Sequence, residues 1–235
     1  MEDFNANQNR GNSNDDVNMN TPTETAVNAG KNEQDEVAYT KIEQLKDGLL
    51  RDCGRAVAAG TKAFRLQLGG YGGSNVFFNR NGKDYRYSLN DGVNGSMYLA
   101  YTPKTAIKEV FQNKIGLKES DLNNYFMGTI VVVKDVNILL VNELMSKSNV
   151  KLHDVTTATR IVTQLLAQKV HSVGFDGMSF LSNVTGEPCL VLWHDDPAGA
   201  GMATTRVQTS LSQFTHQGQE AADILFVELG IPVEE

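Results

Sequence analysis

Cysteine, proline and tryptophan are scarce in this chain, with two, five and one among 235 residues. The two cysteines, Cys53 and Cys189, have no CxxC or zinc-like spacing around them, which excludes a disulfide-stapled fold and points to a reducing, cytoplasmic setting. No run approaches the roughly 18 apolar residues of a membrane span. The N-terminus also lacks the basic segment and apolar stretch of a secretory signal, so a soluble protein with no membrane partner is expected. Basic excess is missing too. The chain holds 28 acids and 21 bases; the first forty residues hold eight and two of them, leaving 20 and 19 for the rest. A nucleic-acid binder needs cationic excess to displace counterions, so none is expected as a partner. Absence of repeats at a period of about 20–50 residues removes solenoids and propellers.

Local motifs of common chemistries are equally absent. There is no GxGxxG, no GxxxxGK[ST], no GxSxG and no HExxH. Gly69-Gly70-Tyr71-Gly72-Gly73 follows a predicted strand, but without a fingerprint or a long helix behind it this run reads as a connection rather than a phosphate cradle. His194-Asp195-Asp196 reads as a solvated strand end, because His153, His171 and His216 offer no ligand spacing; no metal is expected.

What is present starts with a polar tail. Residues 1–36 carry nine asparagines and only isolated apolar residues, too few to offset the entropy of ordering them, so a disordered tail over 1–36 and one domain over 37–235 are expected. Ile42, Leu45, Leu49, Cys53 and Val57 step by three and four, which predicts a helix over 41–59. Residues 62–68 alternate as a half-buried strand with Arg65 on the polar face. The densest stretch is 84–112, DYRYSLNDGVNGSMYLAYTPKTAIKEVFQ. It reads as a β-prone run at 85–88, glycine turns, an apolar strand at 97–101, and a helix capped by Thr102 with Pro103 at its first position. Residues 76–79 suggest a further short strand.

Beyond it, strands are expected over 125–134 and 137–141, and a helix capped by Asp154 and stopped at Gly174. Strands over 177–182 and 188–194 follow, then a long loop over 195–218, and finally a helix or edge strand over 221–229. Strands and helices mix without strict βαβ alternation, so the expected class is α+β with a split or mainly antiparallel sheet and flanking helices.

Arg86, Glu109 and Ser182, with Arg65 and Tyr98, fall beside the predicted strands. On periodicity alone they are ordinary. At about 100° per residue, Glu109 stands about 130° from the centre of the apolar arc of its helix, a solvated position. However, RYSLNDGVNGSMYLAYTPKTAIKEV resembles the first half of the RES domain, and GFDGMSFLSNVTGEPCLVLW resembles its second half. The glycines that precede the family's arginine are replaced here by DYRYS, so FRL at 64–66 and RYS at 86–88 both stand as its arginine motif.

The resemblance implies an ADP-ribosyltransferase-like fold and a toxin or effector that consumes NAD as substrate, as a glycohydrolase or phosphorylase, with a neutralising antitoxin or immunity protein as a possible partner. It implies Glu109, Ser182 and Arg86 as catalytic residues and Arg65, Arg86, Tyr98 and Ser182 as NAD contacts. The alternatives are transfer of ADP-ribose to a macromolecule and an inactive NAD-binding module. The chemistry suits these residue types. Nicotinamide leaves NAD without protonation, so the site needs an anion clamp and a carboxylate near a ribosyl cation rather than a nucleophile.

Overall fold

The computed structural model describes residues 33–82, 85–157 and 159–234. Helix α1 (Glu33–Glu43) and the short α2 (Asp47–Asp52) lead into strand β1 (Gly54–Val57), where the apolar spacing predicts one helix. The spacing is satisfied differently: Ile42, Leu45, Leu50 and Cys53 all reach one core across a turn at 44–46, and the chain then straightens. Gly54 permits this, since a Cβ there would meet the Phe175 ring at 2.8 Å.

Helix α1 also shortens the expected tail, because residues 33–36 are helical and Asp35, 2 % exposed, accepts a 3.0 Å hydrogen bond from Thr159 Oγ1. Residues 1–32 lie outside the described residues. Deleting 1–32 is expected to leave the melting temperature unchanged. Deleting 1–36 also removes the Asp35 acceptor, at about 2 kcal/mol or roughly 5 °C, and comparing the two truncations by thermal melting checks this.

Strand β2 (Lys62–Leu68) forms as its alternation predicts, but 76–79 contributes only a bridge between Asn79 and Ser96. No strand forms at 85–88. Tyr87 turns the chain with φ of 58°, held because its hydroxyl donates to Val155 O and its carbonyl accepts from Trp193 Nε1. Strand β3 (Gly95–Ala100) and helix α3 (Pro103–Phe111) follow, with Thr102 Oγ1 accepting from Thr105 N as an N-cap should. Next come β4 (Leu117–Lys118), α4 (Glu119–Leu122), β5 (Tyr125–Val132), β6 (Val136–Leu140) and α5 (Val141–Lys147).

Asp154 does not cap the following helix. It closes a 3-10 turn by accepting from Lys151 N and pairs with Lys41 of α1, and α6 (Ile161–Ser172) begins later. Gly174, at φ 98°, ends it as expected.

Strands β7 (Gly177–Leu181) and β8 (Pro188–His194) form the predicted hairpin. The expected loop over 195–218 contains β9 (Ala203–Ser210), an edge strand whose only apolar members are Ala203 and Val207. With polar side chains along nearly all of its length, its pattern carries no alternation to read. The short pair β10 (Thr215–His216) and β11 (Gln219–Glu220) precedes α7 (Ala221–Asp223), which runs on as a π turn over Ile224–Glu228, so 221–229 is helical. A last strand, β12 (Val233–Glu234), pairs with β4.

The main sheet has eight strands in the order β1-β6-β7-β8-β3-β2-β5-β9, antiparallel except between β6 and β7. The fold is α+β, as the mixed pattern implies. Strand β8 is central and buried on both faces. Cys189, Val191 and Trp193 pack toward the helices, whereas Leu190 and Leu192 join Met97 and Ile130 on the other side. Between β2 and β3 the sheet splits, because only Phe64 and Ala100 are in register there. That split, with α3 on one side and the start of α6 on the other, opens the cavity described next.

Candidate active site

The cavity is lined by Arg65 of β2, Tyr98 and Ala100 of β3, Glu109 of α3 and Cys189 of β8, together with Arg86 and Arg160. All five residues singled out in the sequence meet in this region: four line the cavity, and Ser182 bonds to one of them. Ser182, 3 % exposed at the end of β7, donates from Oγ to Glu109 Oε1 at 2.6 Å. Its Oγ in turn accepts from Val184 N at 3.1 Å and Thr185 N at 3.0 Å. A hydroxyl has one proton, and this one is given to the carboxylate. Ser182 therefore orients Glu109 rather than serving as a nucleophile.

Glu109 is half-buried rather than solvated. Thr102, Thr105 and Glu109, spaced by three and four, share the polar face of α3, and that face packs on the turn at 183–187. Glu187 Oε2 accepts from Thr102 Oγ1 at 2.7 Å and from Thr105 Oγ1. Those two hydroxyls hold the Glu187 carboxyl below the usual range. The turn is thus fastened to α3 at both ends, which fixes the distance between Ser182 and Glu109.

The Tyr98 hydroxyl bonds to Ser88 Oγ at 3.1 Å and to the Arg86 carbonyl, so the strand grips the loop that carries Arg86; burial raises this phenol's pKa. Its ring stands 5.9 Å from Tyr85 and 6.5 Å, edge on, from Phe180, giving the cavity an aromatic wall. Arg86 Nε is buried without a hydrogen-bond partner among the described residues, a costly state that an incoming acceptor would relieve. Arg65 lines the cavity too, but its Nη1 donates to Asn75 O at 2.8 Å and Phe77 O at 3.4 Å, bracing the segment after β2.

Arg160 and Cys189 also line the cavity, and the sequence motifs assign neither to a site. Arg160 comes from a stretch with no motif, and Cys189 reads from sequence as an ordinary strand residue. Burial first, then Glu109 and Glu187, pushes the Cys189 thiol up to about 12, and burial also raises Cys53. At pH 8 roughly one Cys189 in ten thousand would be thiolate. An aromatic disulfide reagent is expected to leave both thiols of the native chain unmodified over minutes and to titrate both once the chain is denatured.

At the far end of β8, His194 Nδ1 accepts from Asp196 N. Among the described residues no group of three or more His, Cys, Asp or Glu comes together as a metal site. No helix among them is long and apolar enough to cross a membrane.

The family model of the RES domain matches residues 72–213, a span that holds Arg86, Tyr98, Glu109, Arg160 and Ser182 but not Arg65. A chain of the crystal structure of the M. tuberculosis MbcT–MbcA toxin–antitoxin complex superposes with a TM-score of 0.50, over 75 % of this chain and 92 % of that one. At 14 % identity that likeness speaks for the fold. No curated protein matches the sequence.

Proposed function

Because the chain belongs to the RES-domain family, we propose that its cavity binds NAD and cleaves the nicotinamide–ribose bond, in a toxin or effector that acts in the cytoplasm of its producing or target cell. The observation that carries this reading is the 2.6 Å bond from Ser182 to Glu109 in a cavity that otherwise carries arginines. A lone carboxylate, fixed by a hydroxyl and lying among cations, suits a substrate with an anionic bridge and a reaction that develops positive charge at one carbon.

Arg86 takes the diphosphate, and its Nε, without a partner among the described residues, supplies a donor on the loop that Tyr98 holds. Tyr98, Tyr85 and Phe180 face the nicotinamide ring. As the C1′–N bond breaks, its electron pair neutralises the pyridinium, so nicotinamide departs without a proton. Positive charge then passes to ribose C1′ and O4′, where the Glu109 carboxylate stabilises it. Water or phosphate adds to C1′ and completes the reaction. If water adds, its proton goes to solvent.

Incubating the purified chain with NAD and separating the products tests the proposal. Free ADP-ribose or its phosphorylated counterpart, with equimolar nicotinamide, is the expected result. ADP-ribose attached to a macromolecule would favour transfer, and binding without turnover would favour an inactive module. Strong expression in a bacterial cytoplasm is expected to deplete NAD and arrest growth unless a neutralising partner is present. Unchanged NAD under soluble expression would remove the toxin reading.

A further inference from the structure

We propose that Arg160 is the second guanidinium of a diphosphate clamp, closing on the ligand from α6 while Arg86 closes from the loop before β3. This rests on the reading of the cavity as a NAD site, and it adds a residue that none of the sequence motifs contains. Among the cavity-lining residues the charged ones are Arg65, Arg86, Arg160 and Glu109. Three cations against one anion in a concave site, on a chain of net charge −7, make a local trap for an anionic ligand.

Gln164 ties together the two elements that bring Arg160 and Arg86 to the same cavity. Only 7 % exposed, it donates from Nε2 to Tyr85 O at 3.0 Å and accepts from Asn90 Nδ2 at 2.7 Å, tying the start of α6 to the loop that carries Arg86. Arg160 sits one turn before it, its carbonyl accepting from Gln164 N at 2.8 Å, so the two side chains share a helix face. Arg160 lines the cavity together with the aromatic wall of Tyr85, Tyr98 and Phe180, and its charge opposes the rise that burial gives the Tyr98 and Tyr87 phenols. The preceding residue, Thr159, is anchored to Asp35 of α1. Arg65 has one terminal nitrogen engaged by two backbone carbonyls and braces the segment after β2.

The test separates the phosphate contacts from the reaction. Binding of ADP, which has a diphosphate but no nicotinamide, is measured by calorimetry for the full chain and for Arg160→Ala and Arg160→Gln, with melting temperatures as the check on folding. Each variant is expected to weaken ADP binding at least about tenfold, the scale of a charge-assisted hydrogen bond. Arg160→Lys is expected to restore part of it, since a point charge lacks the planar fork. Binding of nicotinamide riboside, which has no phosphate, is expected to be unchanged. With NAD, KM rises by a similar factor while kcat stays within about threefold. Unchanged ADP binding in folded variants, no ADP binding by the parent chain, or an equal loss for nicotinamide riboside would each overturn the assignment. A chain that binds ADP through Arg160 yet leaves NAD intact would overturn the proposed reaction and keep the clamp.

Discussion

Replacing Glu109 with glutamine is expected to lower NAD turnover by about two orders of magnitude or more while leaving the fold in place. The amide oxygen of glutamine still accepts from Ser182 Oγ, so the tie that spans 2.6 Å in the parent survives the change. What disappears is the negative charge, and its effect is largest where positive charge develops, in the transition state rather than the bound ground state. The loss therefore falls on kcat, with KM changed only severalfold. A half-exposed helix position otherwise tolerates such a change within about half a kcal/mol. Steady-state kinetics beside a melting curve distinguish the cases. A folded Glu109→Gln chain turning over at the parent rate would rule out the catalytic assignment, whatever Arg86 and Arg160 are found to do.

Gly177→Ala is expected to damage the fold itself. A Cβ at this position would lie 2.2 Å from the Val191 carbonyl oxygen and 2.9 Å from Leu192 Cδ2. The carbonyl belongs to β8, which is buried on both faces and paired on both edges, so it has nowhere to retreat. Overpacking of this kind costs about 3 kcal/mol, which for a chain of this size lowers the melting temperature by roughly 6–12 °C. Gly48→Ala in α2 is the control. Nothing lies within 4 Å of its added Cβ, and alanine at a helical site is expected to be neutral or mildly stabilising. Equal melting temperatures for the two variants would contradict the packing argument.

Gly177 also shows how a motif can be legible while its reason is not. In sequence Gly177 reads as the first residue of a strand, and it does open β7, but what its lack of a side chain serves is the close approach of β8. The elements read correctly are those whose local signals agree with their surroundings: β2 by alternation, α3 by Thr102 and Pro103, and the β7–β8 hairpin by its apolar runs. Misreadings arise where a tertiary contact replaces a local signal. Tyr87 sits in a β-prone run yet turns the chain because Val155 and Trp193 hold it. Glu109 looks solvated because an apolar arc defines only one face of a helix, and here the polar face meets a polar turn. Arg160 is invisible from sequence for a different reason: it stands 74 positions beyond Arg86, and a tertiary contact, the Gln164 bridge to Tyr85, ties its helix to the loop that carries Arg86.

The position of β8 also sets a timetable. The strands on one side of it are β1, β6 and β7, and those on the other are β3, β2, β5 and β9, so until residues 188–194 are made the two halves of the sheet have no strand between them. At the usual 5–20 residues per second, a ribosome takes roughly 4–16 s after completing Glu109 to reach Ser182 and β8. Throughout that interval the carboxylate and its hydroxyl belong to pieces not yet joined. Under the proposed function, the chain therefore completes its site only in the last fifth of its synthesis, and a message truncated before codon 188 should yield a product without NAD-cleaving activity.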